Sequence, residues 1–303
     1  MDYLVTGGMG FIGRHTIAAL KANHPDAQIT CLDNLSLSTY AALGDGVEFV
    51  GGDVRDQGLV ETLVGQCEKG VIHLAADSRV LPSLSNPALV CDSARSNVIG
   101  TANILASLAK VGTDAPPLVY AGSSTAYGNN PIPQTETDLP SIQSPYSATK
   151  LAGELLIRSF VVTFGLRATT LRYFQVYGPG QPTSGAYALV TGIFLRQWKA
   201  GETLTIEGSG QQSRDFVHVT DVARANVAAL EVNGEGFPIN IGSGETHTIQ
   251  ELADLISLHQ TYLPARRIAL AATFATIDRA KEILGWAPAV SFADGVADMK
   301  ANF

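Results

Sequence analysis

Tyr146 and Lys150 stand four residues apart in a stretch, Pro145 to Phe164, whose pattern predicts a helix, so both project from one face. The nine tyrosines and the lysines of the chain would produce roughly 0.2 such pairs by chance, which makes the spacing suggestive and not decisive. The competing explanation is a surface Tyr–Lys contact. A phenol ionises near pH ~10 and is a poor base at neutrality, but an adjacent ammonium and a second positive charge would lower that value. Ser123, just after a predicted strand, would hydrogen-bond the same reacting oxygen. Beside a hydride acceptor, such a trio moves a proton and a hydride together. It is not a serine-hydrolase set, since neither GxSxG nor a suitably placed His accompanies Ser123.

The hydride acceptor is suggested by the N-terminus. Thr6-Gly7-Gly8-Met9-Gly10-Phe11-Ile12-Gly13 follows a predicted strand and opens a predicted helix. Gly7 and Gly10 let the backbone turn sharply and approach a pyrophosphate, which would meet the helix N-terminus at Phe11 and Ile12. Gly13 lets that helix pack close to the sheet. Asp33 closes the next predicted strand 20 residues beyond Gly13, where a carboxylate would hydrogen-bond an adenosine ribose. It would also repel a 2′-phosphate, so the expected cofactor is NAD and not NADP. The alternative role for Asp33 is to start a turn before Asn34.

These residues need a scaffold, and the chain supplies alternating elements. Strands are expected over 2–6, 28–33, 47–50, 70–76, 117–121 and 167–172, and helices over 11–22, 56–65, 88–111 and 145–164. Such alternation predicts right-handed crossovers and an α/β, doubly wound parallel sheet of the Rossmann type. Beyond Arg172 the texture changes to Gly/Pro loops and shorter helices near 189–199, 221–231 and 249–259. We expect residues 1–173 to form the dinucleotide-binding domain. Residues 174–303 would form mainly a smaller α/β substrate lobe, with some segments returning to the sheet domain.

Composition narrows the classes further. The chain has 303 residues, 46% hydrophobic and 16% charged, enough for a substantial core. Its formal charge of −8 disfavours nucleic acid as a partner. Cys31, Cys67 and Cys91 match neither a disulfide framework nor a zinc site, and no His/Asp/Glu spacing suggests a metal. The N-terminus lacks a basic n-region and an h-region, and no apolar run reaches membrane-span length. No membrane partner and a cytoplasmic location are expected. His73 and His218 are expected to be satisfied core histidines.

The ordered motifs TGGMGFIG (6–13), Asp33-Asn34, GDVRD (52–56), HLAA (73–76), NVIGT (97–101), SSTAYG (123–128), PYSATK (145–150), RYFQVYGPGQ (172–181), RDFVHVTDVARA (214–225), INIGSG (239–244) and LGWAP (284–288) cover nearly the whole chain. In them the sequence resembles the extended short-chain dehydrogenase/reductase family, in its nucleotide-sugar epimerase/dehydratase group. The resemblance implies that Asp53 and Val54 flank the adenine, that Leu74, Ala75 and Ala76 line the path to the nicotinamide, and that Phe174 sits near its end. It implies Tyr146 as base, Lys150 on the nicotinamide ribose and Ser123 supporting the hydroxyl. Arg214 and the Arg266/Arg267 pair would meet the substrate diphosphate, with Ser83, Thr125, Tyr173 and Gln175 near the sugar or its phosphates. The substrate would be UDP-linked, and the helices at 88–111 and 145–164 would pair across a two-fold axis in a homodimer.

The resemblance also separates reactions. Relatives that remove water to give 4-keto-6-deoxy sugars carry an Asp-Glu pair after the catalytic Ser/Thr, whereas Ser124 and Thr125 stand here. The expectation is therefore 4-epimerisation by oxidation and re-reduction at C4. Alternatives are a non-4,6 dehydratase, a decarboxylase, a keto-sugar reductase or a silent NAD-binding module. Departures from the family pattern are Gln175 for Asn, Gly122 for Ser, and Ile268-Ala269-Leu270-Ala271-Ala272 where an acidic residue usually follows Arg267. Thr273 would replace a bulky aromatic near the C2 substituent.

Overall fold

The fold is described from a computed structural model, covering residues 1–185, 188–265 and 271–303. Strand β1 (Tyr3–Thr6) is buried at every position, which requires cover on both faces of its sheet. The chain continues through α1 (Phe11–Asn23), β2 (Ile29–Asp33), β3 (Val47–Gly51), α2 (Gln57–Gly65), β4 (Gly70–His73), α3 (Val80–Ser85), α4 (Leu89–Ala94), α5 (Gly100–Val111), β5 (Leu118–Ser123), α6 (Pro145–Phe164) and β6 (Ala168–Tyr173). It then runs through β7 (Gln175–Tyr177), α7 (Val190–Lys199), β8 (Leu204–Glu207), β9 (Ser213–Arg214), β10 (Phe216–His218), α8 (Val219–Leu230), β11 (Glu235–Ile241), β12 (His247–Thr248), α9 (Ile249–Ile256), β13 (Gln260–Leu263), α10 (Asp278–Leu284) and α11 (Phe292–Ala301).

Among the described residues the main sheet has seven parallel strands in the order β11-β6-β5-β4-β1-β2-β3. The winding direction reverses between β1 and β4, and that switch point opens a crevice at their carboxyl ends. Alternation sorts the side chains. Tyr3 and Val5 join Ile17 and Leu20 of α1 and Val222 and Ala225 of α8 on one face. Leu4 joins Val60 and Leu63 of α2, Leu105 and Leu108 of α5 and Ile157 of α6 on the other. A separate core gathers Phe194, Leu204, Phe216, Leu252 and Val296 around the short pairs β7–β10 and β8–β13.

The segment expected as one helix over 88–111 contains a π turn at Arg95–Ile99 between α4 and α5. It holds Asn97, 1% exposed, against two other segments. The helix expected to reach His259 stops at Ile256, because Gln260 begins a strand paired with β8 at Leu204. β11 returns from the C-terminal part of the chain to the sheet edge. No helix of the described residues is long and apolar enough to cross a membrane.

Candidate active site

The glycine turn lies at the switch point. Gly7 has φ +72°, and a Cβ there would stand 2.7 Å from the amide nitrogen of Ala75, just past β4. Gly10 is the N-cap of α1 and supplies no side-chain cap, which leaves the N–H groups at Phe11 and Ile12 free of a capping side chain. A Cβ at Gly13 would stand 2.3 Å from the carbonyl oxygen of Gly7, so α1 sits hard against the turn. Asp33 Oδ2 accepts from the Met9 amide at 3.0 Å, and its Oδ1 accepts from Leu35 N and Ser38 Oγ. The carboxylate that would read a ribose is thereby fixed to the turn that would hold the phosphates.

Beside it, Asn34 Nδ2 donates to Asp53 Oδ2 at 2.7 Å, and Arg55 grips the same carboxylate with two nitrogens. Hydrogen bonding from Arg55 pulls Asp53 down to about 2. Val54 turns its side chain into the core, where a Cβ at Gly100 would meet its Cγ2 at 2.6 Å. Leu74 and Ala75 are tied to Thr6 by their amides, and Ala76 follows them out of the sheet, half-buried. The first-turn N–H groups, the close approach at Gly7 and the anchored Asp33 fit a dinucleotide.

The proton-handling trio converges from two elements. Helix α6 starts where the Ser144 hydroxyl accepts from Ser147 N at 3.1 Å and Pro145 enters its first turn, and it stops at left-handed Gly165. Ser123 ends β5, 9% exposed, with its hydroxyl 2.9 Å from that of Thr125. Tyr146 is half-buried and interacts with Ser123. Lys150 is 4% exposed, with Nζ 4.3 Å above the Tyr120 ring. Burial pushes Lys150 down to about 7. Burial also raises the Tyr146 phenol, helped by the negative charge of Asp77 and opposed by Ser123. Among the protein's own groups, burial outweighs the Ser123 hydrogen bond, so the lowering expected of the phenol falls to the positive charge of a bound nicotinamide.

Other predicted residues divide. Phe174 is 4% exposed and packs 6.0 Å from the Tyr127 ring. The Gln175 side chain makes no hydrogen bond among the described residues. Ser83 donates to Val80 O at 2.7 Å. Arg214 donates to Ser213 O at 2.6 Å, and burial lowers its pKa. Thr273, 7% exposed, accepts from Asp215 N. Tyr173 corrects the expectation of a sugar contact. Its ring lies in the core under α8, and its hydroxyl donates to Asn226 Oδ1 at 2.5 Å. Arg266, Arg267 and the apolar run from Ile268 to Leu270 lie outside the described residues.

His73 is 1% exposed, with its ring nitrogens 2.7 Å from Thr6 Oγ1 and 3.0 Å from Thr101 Oγ1. Burial lowers it to about 3, so it is neutral. Two features, Asp77 and the Glu154–Arg172 pair, escaped the sequence reading, whereas Asn97 ties its helix to a neighbouring loop as its place in the NVIGT motif suggests. Asp77 is 6% exposed, gripped by Arg79 and Ser93. Burial works to raise its carboxyl, but those hydrogen bonds prevail and hold it below the ordinary range. Asn97 Nδ2 bridges Asp77 O at 3.0 Å and Thr149 Oγ1 at 2.9 Å, while Thr149 bonds Tyr146 O, joining the loop after β4 to α6. Glu154 and Arg172 form a buried ion pair below the trio. The position of Glu154, four beyond Lys150, was the available signal.

A glycine turn at the switch point of a doubly wound sheet, with an acidic residue closing the second strand, defines an NAD-dependent extended short-chain dehydrogenase/reductase. The sequence model of the NAD dependent epimerase/dehydratase family matches residues 3–242, and the chain belongs to that family. It is 33% identical over 309 residues to the UDP-glucose 4-epimerase of Mycolicibacterium smegmatis, covering 98% of this chain and 96% of that one. The structure is similar to that of the Thermotoga maritima UDP-glucose 4-epimerase with UDP-glucose, at TM-score 0.91 and 33% identity, covering 100% of this chain and 98% of that one. The Thermus thermophilus UDP-glucose 4-epimerase complex with NAD is similar at TM-score 0.88 and 31% identity, with 100% and 98% coverage. The protein is an enzyme of the nucleotide-sugar epimerase type, and its cofactor is NAD.

Proposed function

We propose that the protein is a UDP-sugar 4-epimerase, acting on a hexose, N-acetylhexosamine or hexuronic acid through transient oxidation at C4. The observation that carries this reading is the meeting of Ser123, at the end of β5, with Tyr146 and Lys150 on one face of α6, followed by Ser124 and Thr125 and no carboxylate. NAD, when bound, supplies the hydride acceptor at C4 and a positive charge beside the phenol. Tyr146 takes the C4 hydroxyl proton and later returns it. Ser123 hydrogen-bonds the same oxygen, and Lys150 holds the nicotinamide ribose and orients Tyr146. Ser124 and Thr125 supply no carboxylate for elimination across C5 and C6, so the keto-sugar turns and takes the hydride back on its other face, which inverts C4.

In this reading residues 1–173 hold NAD, with Asp33 on the adenosine ribose, Asn34, Asp53 and Val54 beside the adenine, and Leu74, Ala75, Ala76 and Phe174 towards the nicotinamide. Most of 174–303 closes on the nucleotide-sugar, while β11 and α8 return to the sheet domain. Gln175, whose side-chain amide has no hydrogen-bond partner among the described residues, Arg214, Thr125 and Ser83 serve the sugar and phosphates. Ile99 at 51% exposed, in the π turn before α5, and Leu155 at 63%, Val162 at 69% and Phe164 at 56% on α6 support a homodimer through the helices at 88–111 and 145–164. The three cysteines are free, which suits a reducing cytoplasm.

Proton NMR of the protein with NAD and a panel of UDP-sugars tests the reading. A new C4 epimer at a fixed ratio without NADH accumulation is expected, and Tyr146→Phe should abolish it while leaving NAD affinity intact. An unsaturated or decarboxylated product, or full activity in Tyr146→Phe, would overturn it.

A further inference from the structure

Below the candidate active site lies an ion pair that the proposed epimerisation does not use. Glu154 on α6 and Arg172 on β6 are each 5% exposed. Arg172 Nε donates to both carboxylate oxygens, at 3.2 and 3.1 Å, and Nη2 donates to Oε2 at 2.9 Å. A buried pair rarely repays its own desolvation, so its presence is better explained by what it does for a neighbour. That neighbour is Lys150. Glu154 lies one helical turn further along the same face of α6. The Lys150 ammonium, 4% exposed, makes no hydrogen bond among the described residues and rests on the Tyr120 ring. An ammonium taken so far out of water needs a negative charge close by to remain an ammonium.

We propose that Glu154, clamped by Arg172, is a positioning residue that keeps Lys150 in its charged form beneath the nicotinamide ribose. The proposal rests on the assignment of Lys150 to that ribose. The groups facing Lys150 come from several elements. Tyr146 and Glu154 share its helix, Tyr120 faces it from β5, and neutral His73 from β4. Asp77, in the loop after β4, acts on Tyr146, and Arg172 of β6 is committed to Glu154. Burial pushes the ammonium towards neutrality and the Glu154 charge opposes it. Arg172 is a clamp of fixed charge and fork geometry, which holds the carboxylate in place without sharing a proton with it. Removing the Glu154 charge must let Lys150 lose its proton at lower pH.

The test is NAD affinity by calorimetry from pH 6 to 9.5, with the pH profile of kcat on an epimerised sugar as a second readout. Glu154→Gln should move the alkaline loss of both to lower pH by on the order of one unit, so that NAD affinity at pH 8 falls about tenfold. Glu154→Asp, which restores the charge, should return the limb most of the way to wild type. Should Glu154→Gln fail to fold with Arg172 left unpaired, the double variant Glu154→Gln/Arg172→Met removes both charges and should show a shift in the same direction but smaller, because the unpaired Arg172 charge no longer adds to it. A purely structural ion pair would alter the melting temperature and leave the alkaline limb where it is, and an unmoved limb in the folded variant would overturn the proposal. The binding readout separates this from the proposed activity. If wild type binds NAD with the expected limb but converts no UDP-sugar, the activity assignment fails and this inference stands.

Discussion

The two glycines that open and close the phosphate turn should fail in different ways when each gains one methyl group. In Gly13→Ala the new Cβ would lie 2.3 Å from Gly7 O, 2.6 Å from Gly8 Cα and 2.8 Å from Gly8 C. All three are backbone atoms of the turn, and ordinary contact begins at 3.4 Å, so α1 must withdraw by roughly 1 Å. α1 also packs against α8, where Ile17 and Leu20 are 1% and 0% exposed, so the withdrawal disturbs a filled core. Overpacking of this kind costs about 1–3 kcal/mol, which for a chain of this size lowers the melting temperature by roughly 2–5 °C. The same movement carries the first-turn N–H groups away from a phosphate, and losing one charge-assisted hydrogen bond there weakens NAD by about 10- to 150-fold. In Gly10→Ala the Cβ meets only Gly7 O, at 3.2 Å, and φ is already −70°. The fold should lose no more than about 1 kcal/mol for an alanine N-cap, while the methyl occupies the open side that a pyrophosphate approaches. Melting curves without nucleotide and calorimetric NAD titrations of both variants give the comparison. If Gly13→Ala melts and binds like wild type, or Gly10→Ala binds NAD undiminished, the turn is not the phosphate cradle described above.

Two further outcomes are expected. Asp33→Ser should weaken NAD by about 10- to 150-fold through loss of a carboxylate–ribose hydrogen bond, and should narrow the preference for NAD over NADP, measured as the ratio of their dissociation constants. A ratio unchanged from wild type would remove Asp33 from the ribose. His73 stays neutral in the fold down to about pH 3, whereas the unfolded chain protonates it near 6.5. Its contribution is fully present above 6.5 and is lost as pH falls towards 3, amounting to about 2 kcal/mol between pH 7.5 and 5. Urea unfolding at the two pH values should show a fall smaller by about that amount in His73→Gln, and an equal fall in both proteins would mean that His73 is protonated in the native state.

What could be read in advance was chemistry carried within one element. The buried parallel strands β1, β2 and β4 show as apolar runs ending at glycine or acid, because both faces are covered and no alternation survives. Tyr146 and Lys150 share a helical face by spacing alone, and Pro145 and Gly165 mark the ends of that helix in plain letters. The features that escaped are made by pairs distant in sequence. β11 joins the sheet although it carries Glu235 and Pro238, since an edge strand tolerates both and its partner β6 lies some sixty residues earlier. Tyr173 and Phe174 are adjacent, yet one is held by Asn226 beneath α8 and the other packs on Tyr127, a division that depends on where β6 ends. Asn97 lies between the two cases. A tie from its helix to a neighbouring loop is legible in the sequence, but its particular partners, Asp77 and Thr149, follow from a π turn that shifts the helix face by one residue. The helical period fitted to 88–111 assumes a regular turn and so cannot anticipate that displacement. For the same reason Asp77, whose charge bears on Tyr146, became visible only when α6 and the loop after β4 were assembled, while Glu154 was marked by its spacing from Lys150 but its clamp, Arg172 on β6, was not.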